Sequence, residues 1–248
     1  MDASSPYAGC LMWVFPAVAA AVALVFAIQL ARRWLSRKRT YELLWAISML
    51  MYAIACVAVA VGSAHGWTES YFRLYWALGA VLNVPFLAAG EVHLLVRNRT
   101  ALVAVDLLLV FIAAYTLGVL RTSAMDPVAL AHHLPSGKEV FGAGTPAHRL
   151  PQLISIPSYL VLLGGALLSA WRMRSNPALR NRFVGTLLIA LGATVVAGGA
   201  TFAAFGMMAG FTTTLVVGIS IMFVGFLRAS RPASVPPEPA QKQAILSG

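Results

Sequence analysis

Charge is what this sequence has least of. Only 10% of its 248 residues are Asp, Glu, Lys or Arg, while 60% are hydrophobic and the mean hydropathy is +0.80. Soluble domains carry about 25% charged residues, so an ordinary water-exposed globular fold is excluded at the outset. Cysteine is scarce as well. Cys10 and Cys56 are too few for a disulfide framework. Helix rise separates them by about 9 Å in depth, whereas the Cα atoms of a bridge approach within about 7 Å. Both are read as small packing residues.

Other scarcities strike out whole chemistries. Lysine occurs only at Lys38, Lys138 and Lys242, so the last apolar segment offers no amine for a retinal Schiff base. No HExxH pattern is present, which removes the membrane zinc proteases. His93 is the single histidine inside an apolar segment, whereas haem ligation across helices needs two. No histidine follows His148 to activate a serine in the later segments, which removes the intramembrane serine proteases. Asp106 is the single intramembrane aspartate, short of the repeated aspartates with which lipid-head transferases hold metal. His65, His132, His133 and His148 lie in connections near Glu69, Asp126 and Glu139, but at no known ligand spacing, and are read as solvated. The expectation is a protein that is not an enzyme and holds neither cofactor nor metal.

What the chain does have is long apolar runs. Seven are placed at 11–31, 43–62, 71–96, 101–120, 152–171, 183–205 and 211–227. Each approaches the roughly 20 residues that cross a bilayer core as a helix. The first is too long for a signal-peptide core and lacks a basic leader, so it is read as a retained helix. The fold class expected is all-α: a polytopic, seven-helix transmembrane bundle over 1–228 with one long connection at 121–150. Residues 229–248, with four prolines between 232 and 239, are expected to form a disordered tail.

Basic residues divide unequally between the two ends of these segments. One side carries Arg32, Arg33, Arg37, Lys38, Arg39, Arg97, Arg99, Arg172, Arg174, Arg180, Arg182, Arg228, Arg231 and Lys242. The other carries Arg73, Arg121, Lys138 and Arg149. This asymmetry orients the chain with its N-terminus outside and C-terminus cytoplasmic, in the plasma (inner) membrane. It also accounts for the net charge of +10, because the sparse side balances its bases against Asp2, Glu69, Asp126 and Glu139. A charge so placed points to anionic lipids at the inner face and away from nucleic acid. A weak internal echo, Pro16 then Arg32 and Pro157 then Arg172, fits a three-plus-one-plus-three arrangement with the fourth helix as linker.

The few polar groups within the runs are the candidate site, because intramembrane ionisable residues are costly and mark function by default. Glu91 and Asp106 stand symmetrically about the turn Arg97-Asn98-Arg99-Thr100, each about 9–11 Å inside the inner interface. At one depth they can share a proton, or each can pair structurally with Arg97 or Arg99. His93 lies two residues from Glu91, about 200° around the helix, and need not join them. Asn83 precedes Pro85 mid-helix, where it can rejoin the carbonyl that proline frees or face a cavity.

Two functions follow as expectations. One is small-solute or ion/proton transport through Asn83, Glu91, His93 and Asp106. The other is a non-enzymatic sensor or accessory subunit, with a membrane-protein partner or a homo-oligomer as its context.

Overall fold

The computed structural model describes residues 6–132 and 135–230, without the side chains of 6–12. The expected tail therefore lies outside the described residues, except that the last helix continues to Ala229. The chain is all-helical, with no strand among the described residues. Seven helices are long and apolar enough to cross a membrane. We name them α1 (Trp13–Arg37, begun at Pro6), α2 (Thr40–His65), α3 (Glu69–Leu95), α4 (Arg99–Thr122), α5 (Pro146–Met173), α6 (Pro177–Ala204) and α7 (Met208–Ala229).

Most helices overrun the apolar runs that announce them. The hydrogen-bond ladder continues into polar ends, so Arg32 and Arg33 belong to the last turns of α1 and Arg180 and Arg182 to the first turns of α6. Asn176 caps α6 by accepting from Ala178, ahead of Pro177, as its residue type requires. Thr40 is already helical, and the preceding Arg39 makes no side-chain cap. α5 begins at Pro146 behind a Thr145 cap, so Pro151 opens a π-helical stretch, Pro151–Ser155, inside it.

Packing order defines the architecture. α1 packs on α2, α2 on α3, α3 on α5, α5 on α6, α6 on α7 and α7 on α1, closing a ring of six. α4 stands outside, against α3 and the start of α5. In chain order, the α1–α2–α3 run of neighbours is followed in the ring by α5–α6–α7. Phe72 and Phe211 are both buried near the starts of α3 and α7. One shift of about 140 residues also matches Gly79, close to Ala55, with Gly218, close to Val196.

Between membrane helices there is no water to expel, so small residues that permit close backbone approach supply much of the association. The α6–α7 crossing is built this way. A Cβ on Gly192 would meet the Gly218 carbonyl oxygen at 2.5 Å, and one on Gly185 would meet that of Gly225 at the same distance. Backbone cannot step aside as a side-chain tip can. Gly192→Ala is therefore expected to cost about 1–3 kcal/mol, or about 2–4 °C of Tm per kcal/mol in a chain of this size. Gly198→Ala, whose Cβ would meet nothing within 4 Å, should leave Tm unchanged or raised in the same thermal melt.

Candidate functional site

Helix α3 carries most of the candidate polar residues, and its shape is set by Pro85. Proline contributes no N–H, so a carbonyl one turn earlier loses its partner. The helix widens there into a π stretch, Trp76–Leu82, where Asn83 N–H bonds back to Leu78. π-bulges of this kind recur at functional sites. The freed carbonyls are met from α5, because the Ser155 hydroxyl lies 2.7 Å from Ala80 O and 3.1 Å from Val81 O. Asn83 itself is buried and turned toward α2. There Ser48 donates to its backbone carbonyl at 2.9 Å and meets its side-chain Oδ1.

Glu91 lies two turns further along α3, four residues short of its end and so about 6 Å inside it. It is 6% exposed and directed at α5. Gly165 makes room for it, since a Cβ there would meet Glu91 Cγ at 2.5 Å. Ser169, one turn on, donates to Oε1 at 3.4 Å. Among the described residues no basic side chain comes within ion-pair distance of Glu91.

His93 and Asp106 belong to a different interface. His93 Nε2 is 2.8 Å from Asp106 Oδ1 across the α3–α4 seam, with the histidine side chain 8% exposed and the aspartate 49%. Arg97 and Arg99 make no ion pair with either intramembrane acid among the described residues. The three candidate residues of α3 thus point to three faces: Asn83 toward α2, Glu91 toward α5, and His93 toward Asp106 on α4. Glu91 and Asp106 do not share a face. At the other end of the same seam Arg73 reaches the C-terminus of α4, donating to Leu120 O and, at 3.0 Å, to Ser123 O. A polar clamp at each end holds α4 onto the ring.

Three polar features here escape sequence reading. Ser155 and Ser169 look like ordinary small packing residues until their partners on α3 are known. Glu42, readable as a first-turn acid facing the helix dipole, is buried at 3% exposure.

The end of the ring nearer the N-terminus is closed by ring stacking. Phe72 lies 5.7 Å from Trp76 and 5.6 Å from Phe141, and Tyr75 lies 6.2 Å from Phe211 of α7. Trp67 and Phe72 are buried in this cluster. Phe141 arrives from the long connection, which folds into short helices at Pro127–Leu130 and Gly137–Phe141. Gly137 lies against the Trp76 ring, and Trp76 Nε1 donates to Ala147 O at 3.0 Å. His132 pairs with Glu139 at 3.7 Å, whereas His148 Nδ1 is buried without a partner among the described residues, contrary to a solvated reading. His133 lies outside the described residues. No group of three or more His, Cys, Asp or Glu able to hold a metal ion occurs among the described residues.

The fold and its polar interior define a seven-span helical protein with one carboxyl enclosed between α3 and α5. Comparison with protein-family models, with curated proteins and with solved structures finds no match for this chain.

The closure carries its own pH dependence. Ser136 and Glu139 form a capping box on Gly137–Phe141. Hydrogen bonds from Ser136, side-chain and backbone, hold the Glu139 carboxyl below its ordinary 4.5. A carboxyl depressed in the folded state contributes stability above its unfolded value and loses it as pH falls through the folded one. Hydrogen-exchange protection of the Gly137–Phe141 amides should therefore fall as pH drops below about 4.5, and Glu139→Gln should abolish that dependence.

Proposed function

We propose that this chain is a small-solute or ion/proton carrier whose intramembrane binding group is Glu91. One observation carries the reading. A carboxyl sits 6% exposed between α3 and α5 with one serine hydroxyl 3.4 Å away and, among the described residues, no cation to pair with it. An unpaired charge in such a setting costs several kcal/mol, and uptake of a proton or cation relieves it. Structural pairing with Arg97 or Arg99, the competing account of this acid, finds no support in the geometry. Asn83, the π stretch and Pro85 supply a deformable segment two turns away, and bulged helices in membranes can bend where they line a path. His93 lies on the same helix but pairs with Asp106 of α4 and serves that seam.

The orientation we assign is N-terminus outside and C-terminus cytoplasmic in the inner membrane, because the basic residues crowd one end. That end also carries aromatic anchors, with Arg174 3.4 Å over Trp171 and Lys38 4.7 Å over Trp34. Anionic lipid headgroups are its proposed partners, each nearby Lys or Arg contributing about 1 kcal/mol. No catalytic role is assigned to any residue.

A second reading, a non-enzymatic sensor or accessory subunit acting with a membrane-protein partner or as a homo-oligomer, draws on the other end. There the long connection is folded onto the ring and Phe141 is buried among the aromatics, as a receiving surface requires.

Proteoliposomes loaded with a pH-sensitive dye distinguish the two. Under an imposed pH gradient the carrier reading expects a protein-dependent proton flux that Glu91→Gln reduces at least tenfold, while the variant elutes and melts like the native protein. Equal flux from both proteins would exclude Glu91 as the carrier group. A native protein that moves no protons would favour the sensor reading.

A further inference from the structure

Glu42 is a buried acid that neither Glu91 nor the α4 seam employs. It is 3% exposed, and its Oε2 is enclosed without a hydrogen-bond partner among the described residues. Its position on α2 shows where it points. Glu42, Met49 and Cys56 follow one another at intervals of seven residues, and all are buried. Tyr52, on the same side of α2, crosses the ring to donate to Leu215 O of α7 at 3.0 Å. The carboxyl therefore faces the interior of the six-helix ring from its basic end, about 3 Å inside the end of α2, where Glu91 is about 6 Å inside the end of α3.

The charged groups around it are few. From α1, Arg33 lies within electrostatic reach of Glu42, yet its guanidinium rests 4.4 Å over the Phe226 ring of α7. Arg39 is also within reach, but it donates to Tyr41 Oη at 2.9 Å and is exposed. Arg37 adds positive charge beside Arg33. On α3, Glu91 is met by Ser169 and His93 by Asp106. α7 presents Phe226, which is apolar. Among the described residues no base comes within ion-pair distance of Glu42.

We propose that Glu42 is a second proton-binding site, a carboxyl that exchanges its proton with water at the basic end of the bundle, with Arg33 as its counter-charge. In the step, the O–H bond of the neutral carboxyl breaks, the proton passes to water, and the electron pair stays on the carboxylate opposite the Arg33 guanidinium. The reverse step restores the acid. The inference rests on the reading of Glu91 as the intramembrane carrier group and places an exchange station between it and the basic face.

Infrared difference spectroscopy on reconstituted vesicles, taken between acid and alkaline buffer, reads each carboxyl separately through its C=O stretch. The native protein should lose two buried-carboxyl bands on alkalinisation, one absent from Glu91→Gln and the other from Glu42→Gln. Glu42→Asp, which keeps the acid and shortens its arm, should shift the second band without removing it. This variant decides the matter should Glu42→Gln fail to fold. A native-like two-band spectrum from Glu42→Gln, or an unshifted spectrum from Glu42→Asp, would overturn the Glu42 assignment while leaving Glu91 intact. A spectrum that keeps both bands in Glu91→Gln would instead remove the Glu91 reading.

Discussion

The interaction on which the rest depends is the Ser155 hydroxyl against the Ala80 and Val81 carbonyls. An apolar surrounding offers no water to a backbone group that has lost its partner, so a proline-broken helix persists only where the protein answers the freed carbonyls. Pro85 breaks α3, and α5 answers, from within its own π stretch. That contact fixes the azimuth of α3 relative to α5, and the azimuth presents Glu91 to Gly165 and Ser169. The same helix then offers Asn83 to Ser48 on α2 and His93 to Asp106 on α4. α3 is a hub because its polar groups are spread over several faces, and each face needs a partner.

Around that hub the ring of six is held by complementary means at its two ends and its middle. Aromatic rings from α3, α7 and the folded connection close one end. Small residues bring α6 and α7 into backbone contact. At the basic end, Arg33 over Phe226 joins α1 to α7, with Phe26 and Phe226 4.8 Å apart just inside. α4 is not a ring member. Polar clamps at both ends hold it against the ring.

Much of this architecture was legible from the residues. Seven apolar runs specify seven spans because hydropathy over about 20 residues reflects the solvent directly. Depth was legible too, since residues counted from a turn translate into distance along a helix. Azimuth was not. Glu91 and Asp106 stand symmetrically about one turn in the sequence, but each residue turns a helix by 100°, and the angle at which two helices meet is decided by packing that a single sequence does not display. Ser155 and Ser169 were invisible for the same reason, as were the burial of Glu42 and the folding of residues 123–145, whose Gly and Pro read as loop but whose Ser136, Glu139 and Phe141 build a capped helix with a buried ring.

The central claim is that Glu91 is a carboxyl enclosed in an apolar seam and able to carry a proton. A hydrophobic carbodiimide tests it most directly, because it partitions into the bilayer and reacts with protonated carboxyls there. After treatment of membrane-embedded protein and peptide mapping by mass spectrometry, the account predicts an adduct on the α3 peptide, assigned to Glu91 and absent from Glu91→Gln. An unmodified Glu91 in protein whose other acids are labelled would contradict it.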